Sequence, residues 1–549
     1  MVASVCLGYG IGRSDVAAPY SDPVSRLRAQ DESTYANSAA GLVGNGGWLT
    51  PKFMGRFLLY KPPLFVWLTA FSEKIFGISV VALRLPALLA GIFATVAVFW
   101  WMRGAASLAA AIAVMVLLLS DPLWQTFARL CYTDMLLAAS MVGAMAVIYI
   151  DPRLATIRAL LLFSVLIATG VMVKNVAGLL AFGMLLLYWA LARAECRPAL
   201  MRIAFAGAIA GLLVAPWHIY QFVVHRQWFW ADYVQVQLLN FGVAPPAQTN
   251  TETQAVFYIK RLFLIDGVLI VLLLLALPSL LRALRRRDQV LPALLISWLL
   301  IASGALLAFR YRNLPYALYV VPPAAMIAVL YGPFFRPRRV NWAMAALCAL
   351  FVVKACFPGE TWGLSFGGSK PLGSAAALRT YAAMHRPNEL IIADPNDEFY
   401  SSTLFLPRVR YYYADLSGMA RRYSSHYAFL GISLTEDEFE RLGQLRPVYE
   451  ERLRSWGLDS DDPIGTVIIG DSEVALARLI ALHPQSDFFV NLKDVPKTGN
   501  SHGVVPADGG RVFLLAQPST TAEWECPCPN SPMLWSTLKR CAAGFSAGS

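Results

Sequence analysis

Apolar residues run along this chain in long blocks, broken by short polar stretches that carry most of the arginines. A helix needs roughly 20 apolar residues to cross about 30 Å of hydrocarbon, so blocks approaching that length predict membrane spans. They fall at 83–102, 105–120, 134–150, 159–173, 176–192, 201–220, 262–281, 290–309, 314–333 and 341–357. The first apolar piece, Met1 to Ile11, is too short to span and lacks the basic start and cleavage pattern of a full signal peptide. The expectation is half a helix, the tail of a first span whose beginning is missing. Residues 13–60 are polar, with breakers at Gly44 to Gly47 and Pro51, and suit one or two short helices lying at the interface. Leu64 to Phe76 predicts an interfacial or partly inserted helix.

Beyond residue 358 the pattern changes. Short β-like runs, Leu390 to Ala393, Val409 to Tyr413, Thr466 to Ile469 and Val512 to Leu515, alternate with helical ones at 373–384, 435–444 and 472–482. The pattern therefore predicts a polytopic α-helical membrane protein of about 10–12 transmembrane helices, followed by a C-terminal α/β domain. Its parts are a transmembrane region at 1–357 with a first loop at 13–60, an α/β domain at 358–520, and a Pro-, Ser-, Gly- and Ala-rich tail at 521–549.

Composition fits this: 57% of the 549 residues are hydrophobic and only 15% charged, with a mean hydropathy of +0.52. The net charge of +11 raises the question of nucleic acid. The excess sits, however, in clusters between apolar blocks: Arg153 and Arg158; Arg193, Arg197 and Arg202; Arg282 and Arg285 to Arg287; Arg336, Arg338 and Arg339. Such clusters mark cytoplasmic loops, not a binding patch. Alternating the sides then places 13–60, 121–133, 221–260 and everything after 358 on the extracytoplasmic side of a cell membrane. The eight cysteines form no framework. Cys526, Cys528 and Cys541 leave a disulfide open in the tail, and no nearby histidine completes a metal site.

Charged groups on the extracytoplasmic side are the candidates for chemistry. The acids are Asp31 and Glu32 in the first loop and Asp134 at the mouth of a span; the cations are Lys61, Arg129, Arg310 and Arg312. Carboxylates and fixed cations converging from separate loops would give a base beside an anion site. Each also has a bland reading. Asp31 and Glu32 suit a solvated helix start, Lys61 and Arg84 suit snorkelling to headgroups, and Asp134 suits an ion pair with Arg129. His218 and His225 suit interfacial packing as well as ligation.

Taken in order, the residues resemble a known family. Asp31-Glu32-x-x-Tyr35-Ala36, Gly47-Trp48-Leu49-Thr50-Pro51, Lys61-Pro62-Pro63-Leu64-x-x-Trp67-Leu68, Phe76-Gly77 and Arg84-Leu85-Pro86 are similar to the amino-terminal signature of the C-type (GT-C) membrane glycosyltransferases. The subgroup is that of protein O-mannosyltransferases and lipid A aminoarabinose transferases. Weaker elements follow at Ala128-Arg129-x4-Asp134, Val173-Lys174-x3-Gly178, Ala215-Pro216-Trp217 and Arg310-Tyr311-x3-Pro315-x6-Pro322, so the resemblance spans 25–335.

The resemblance implies inverting transfer of a sugar from a polyprenyl-phosphate carrier to a lipid, glycan or protein acceptor at the membrane surface. It assigns Asp31 as base and Asp134 as a carboxylate that orients the acceptor or a cation. It puts Lys61 and Arg129 at the phosphate, with Glu32, Tyr35, Arg310 and Arg312 in further contact with substrate. Two departures stand out. Tyr60 occupies the place of a glutamate before the Lys-Pro pair, and Gln237 stands near the place of a histidine. Both positions are linked to a metal in the aminoarabinose enzymes, so no cofactor is assigned and a divalent metal is disfavoured. The rival reading is a transporter or flippase of a lipid-linked sugar. A carrier more often breaks its helices with polar, Gly or Pro residues at mid-membrane depth, whereas these spans are nearly uniform in Ala, Leu, Val and Ile.

Overall fold

The structure is a computed structural model that describes residues 2–8, 11, 31–53, 56–225, 229–230, 233–234, 237, 253–285, 290–309, 312–334, 373–393, 406, 409–412, 472–492, 495, 502–507 and 510–516. The expected span at 341–357, the helix at 435–444, the strand at 466–469, the three tail cysteines and Arg310 lie outside the described residues.

The apolar blocks fold into a helical bundle. A short α1 (Val2–Gly8) precedes α2 (Asp31–Asn45), a two-strand ribbon of β1 (Lys52–Phe53) and β2 (Arg56–Phe57), and α3 (Leu64–Phe76). Then come α4 (Val80–Ala105), α5 (Leu108–Ser120), α6 (Pro122–Ala128), α7 (Thr133–Ile150), α8 (Ile157–Lys174), α9 (Leu180–Leu191) and α10 (Leu200–His225). After these follow α11 (Gln254–Arg285), α12 (Val290–Ala308), a 3-10 turn at Leu314–Val320 and α13 (Val321–Tyr331). Among the described residues seven helical stretches are long and apolar enough to span, and a bent pair of helices makes an eighth.

That bent pair is α5 and α6, which meet at 70°. The break is local chemistry: Asp121 caps α6 by accepting from the Trp124 N–H at 2.7 Å, and Pro122 follows at the first helical position. A segment expected as a plain loop is thus a short helix. One of the seven stretches, 157–191, is two spans and not one. Its chain reverses at Asn175, where φ is +43°. The following turn presses back on α8, so closely that a Cβ on Gly178 would lie 2.1 Å from the Gly170 carbonyl carbon. The far ends meet too, because Arg153 before α8 donates to the Glu195 carbonyl after α9. In α11 the helix breaks at Asp266, whose carboxylate caps the second half through the Leu269 N–H at 3.2 Å.

These reversals sort the charges. Arg103, Arg153, Arg193, Arg282 and Arg285 sit at one set of helix ends or in the loops that join them. Glu32, Arg84, Asp134 and Lys174 sit at the opposite ends. Further along, α14 (Gly373–Ala383), β3 (Leu390–Ala393), β4 (Val409–Tyr412), α15 (Ser472–Leu482), β5 (Asp487–Asn491), β6 (His502–Pro506) and β7 (Arg511–Ala516) build a five-stranded sheet in the order β4-β3-β5-β7-β6. Strand β3 runs parallel to β4 and β5, and β7 runs antiparallel to β5 and β6. Buried Asp487 ties it together, accepting from Tyr381, Arg386, Asn388 and the Ala516 N–H.

One buried acid stands apart. Glu73 on α3 is 2% exposed, and neither carboxylate oxygen has a hydrogen-bond partner among the described residues. Burial pushes its pKa up to about 8 from 4.5. The folded protein therefore keeps a proton that the unfolded chain releases, and stability falls as pH rises between those two values. Glu73→Gln should melt at a higher temperature than wild type at pH 8 and above, and the two curves should converge toward pH 4. Parallel melting curves across that range would contradict the assignment.

Candidate active site

The first loop is fastened to the bundle by the residues of its own motif. Gly46 and Gly47 adopt φ of +75° and +76°, which a side chain would strain. The turn they make aims two carbonyls at aromatic neighbours. Trp67 Nε1 donates to the Trp48 carbonyl, and Trp217 Nε1 (2.9 Å) and Gln221 Nε2 (2.6 Å) donate to that of Leu49. Thr50 Oγ1 and His225 Nε2 lie 3.0 Å apart, and His218 Nε2 lies 2.9 Å from the Tyr233 hydroxyl. Both histidines are thus engaged by protein hydroxyls.

Helix α2 opens at Asp31 and carries Glu32 and Tyr35 in its first turns. Glu32 is fully buried and makes a bidentate pair with Arg84, with Nε to Oε1 at 2.8 Å and NH2 to Oε2 at 3.1 Å. It also accepts from the Cys131 N–H at 2.9 Å, while Arg84 reaches the Ile11 carbonyl at 2.8 Å. One carboxylate therefore joins α2, α4 and the loop before α7. Arg84 is 2% exposed and does not snorkel.

Tyr35, three residues after Glu32, packs edge-on against Phe65 and Tyr132. Its hydroxyl accepts from the Lys61 ammonium, which also lies 4.9 Å above the Tyr35 ring and 5.5 Å above that of Tyr60. Three residues named from the sequence, Asp31, Tyr35 and Lys61, thus share one helix start and the segment that crosses it.

Asp134 lies in the first turn of α7 and is buried. It pairs with Lys174 at the end of α8, not with Arg129. The Tyr319 hydroxyl donates to Asp134 Oδ1 at 2.7 Å, and Lys174 Nζ lies 3.3 Å from that hydroxyl and 4.5 Å above the Tyr316 ring. Arg129 turns instead to the end of α1, where it donates to the Cys6 carbonyl at 2.5 Å and that of Leu7 at 3.1 Å. These carbonyls are the negative end of a helix, which suits a cation. Arg312 lies farther off, 5.7 Å from the Phe257 ring, beside Arg261 at 3.9 Å.

Beside Lys174 a pocket of about 580 Å³, counted with its open mouth, runs between the α8–α9 turn, α12 and the 3-10 turn before α13. Its walls are apolar, with Leu180, Leu306 and Phe309 among them, and its polar groups are Lys174, Asn175, Gln237, Tyr316 and Tyr319. Lys174, inside a motif of the sequence yet not selected as a site residue, is its only charged lining group among the described residues. The signal was available: a lysine that ends an apolar span immediately before a helix-breaking turn.

The two positions at which a metal was disfavoured hold Tyr60 and Gln237. Tyr60 offers a ring face to the ammonium and a carbonyl to Asn175, and Gln237 offers an amide. Among the described residues no three His, Cys, Asp or Glu side chains converge.

Comparison with known proteins agrees with the geometry. The family model described as dolichyl-phosphate-mannose-protein mannosyltransferase matches residues 60–220. An undecaprenyl phosphate-alpha-4-amino-4-deoxy-L-arabinose arabinosyl transferase from Erwinia tasmaniensis is 24% identical over 359 residues, covering 61% of this chain and 62% of that protein. Its counterpart from Edwardsiella ictaluri is 25% identical over 258 residues, 45% of each chain. The chain thus matches between about half and three fifths of the length of these relatives. Among solved structures, ArnT from Cupriavidus metallidurans bound to undecaprenyl phosphate superposes with a TM-score of 0.63 at 15% identity, over 95% of this chain and 99% of that one. This chain is a multi-span membrane protein with the GT-C fold, the fold of the integral-membrane glycosyltransferases that its amino-terminal motifs resemble.

Proposed function

We propose that the chain transfers a sugar from a polyprenyl-phosphate carrier to a hydroxyl-bearing acceptor at the extracytoplasmic surface, with inversion at the anomeric carbon. The observation that carries this reading is the pocket beside Lys174: apolar walls suit a polyprenyl chain, and an ammonium at the polar end suits its phosphate. The family match and the relatives' printed activities support the carrier class. The arginines at the opposite helix ends support an extracytoplasmic site.

In this reading the acceptor oxygen attacks the anomeric carbon from the face opposite the phosphate. The bond from that carbon to the phosphate oxygen breaks, its electron pair leaves with the carrier phosphate, and the hydroxyl proton passes to the Asp31 carboxylate. Lys61 and Lys174 supply positive charge where negative charge builds on the leaving carrier phosphate. Tyr35 and Tyr60 hold Lys61, and Arg129 and Glu32 act at one remove by fixing α1, α2 and α4. Arg310 and Arg312 are kept as substrate contacts on the resemblance alone.

Detergent-solubilised protein should move a radiolabelled sugar from a polyprenyl-phosphate donor to an envelope acceptor, a reaction without meaning for a flippase, which needs two compartments. No transfer across a broad donor and acceptor panel would favour the transporter. Lys61→Ala should raise the donor KM about tenfold, in line with loss of one charge-assisted hydrogen bond, and leave the acceptor KM within about twofold. An unchanged donor KM would remove Lys61 from the phosphate.

A further inference from the structure

Lys174 faces two ways. Its ammonium is paired with Asp134 and close to the Tyr319 hydroxyl, and the same side chain lines the pocket that Asp134 does not line. Among the described residues no other charged group lines that pocket. An anion entering it and the Asp134 carboxylate must therefore share one ammonium. In a site of low dielectric, two anions around one cation are not satisfied equally, and gain for one is loss for the other. A lysine suits this exchange: its charge sits on a flexible stem with three donors, so it can move toward a new anion without breaking a fixed fork. The Tyr319 hydroxyl, 2.7 Å from Asp134, remains to hold the carboxylate when Lys174 turns away.

Resting on the glycosyl-transfer reading, we propose that Lys174 is a shared cation that couples the two substrates. Without carrier it is held by Asp134; when a carrier phosphate enters the pocket it turns to the phosphate, and Asp134 is released to accept a hydrogen bond from the acceptor hydroxyl. Asp134 is then a competitor of the carrier and a positioning group for the acceptor, and the order of binding is donor first.

The competition makes a prediction opposite to that of a structural ion pair. Affinity for a polyprenyl phosphate, measured by tryptophan fluorescence on solubilised full-length protein, should rise about tenfold in Asp134→Asn, because Lys174 loses its rival partner, while sugar transfer falls. Lys174→Met should weaken the same binding at least tenfold. The double variant Asp134→Asn/Lys174→Met buries no unpaired charge, which guards against misfolding, and should bind at least tenfold more weakly than Asp134→Asn alone. Equal affinity in wild type and Asp134→Asn, or in Asp134→Asn and the double variant, overturns the shared cation while leaving the carrier reading intact. Absence of binding in wild type instead overturns the carrier reading itself.

Discussion

Asp31→Asn should abolish sugar transfer, a loss of ~10²–10⁴-fold, while the protein still inserts and accumulates as wild type does. Asp31 is the first residue of α2, and asparagine serves at a helix start about as well as aspartate, so the change leaves the fold's local logic intact. What it removes is a site for a proton. A free carboxylate is a weak base toward an alcohol. It becomes effective as the oxygen bonds to the anomeric carbon and its proton turns acidic, so the effect belongs on kcat and not on donor binding. Asp31→Glu keeps the carboxylate one methylene out of place and should retain more activity than Asp31→Asn. Purified Asp31→Asn that still transfers sugar at a tenth of the wild-type rate or better would take the base assignment away from Asp31. Asp134, a buried carboxylate in the first turn of α7, would then inherit it.

The hydrophobic pattern carried the bundle because a membrane span is a local property: each helix satisfies its own backbone and announces itself by length. Hence Leu64–Phe76 and the spans from 83 to 192 were legible, even where the antiparallel pair α8 and α9 forms a single apolar stretch. The bend at Asp121 was legible as well, through a capping aspartate before a proline, yet a run of only seven residues in α6 reads as loop by length alone. The site was less legible, since its pairings join positions far apart in the chain. Asp134 finds Lys174 forty residues on and Tyr319 a further 145 residues away. Nothing in local spacing chose Lys174 over the nearer Arg129, which the carbonyls of α1 claim. The pocket is likewise a product of packing between α8–α9, α12 and the turn before α13, and the motifs point toward it without outlining it. Glu73 was invisible for the same reason, because a carboxylate one turn inside an amphipathic helix reads as exposed until its neighbours close over it.

Glu32→Ala should remove most of the folded protein. Sequence similarity put Glu32 near substrate and in support of the first loop, and the structure buries it completely against Arg84 and the Cys131 N–H. Deleting the carboxylate strips a guanidinium that is 2% exposed of its bidentate hydrogen bonds to Glu32, and the Cys131 N–H of that acceptor. Breaking one side of a buried pair typically costs about 3–5 kcal/mol, a large share of the stability of most domains. Removing both charges is a different matter, since a well-packed apolar pair often replaces a buried ion pair at little loss. Glu32→Gln/Arg84→Met should therefore recover much of the yield and melting temperature that Glu32→Ala loses. Arg84→Lys should not, because a single ammonium cannot reproduce two parallel hydrogen bonds and the contact with the Ile11 carbonyl. The measurement is yield and thermal melting in detergent, read beside donor KM. If Glu32→Ala melts like wild type but binds donor poorly, the residue belongs to the substrate after all. If stability falls and the double variant restores it, the carboxylate is the clasp that sets the start of α2. Its neighbour Asp31 then owes its position to a pair that touches no substrate, and activity in the rescued double variant should track how well that helix start is held.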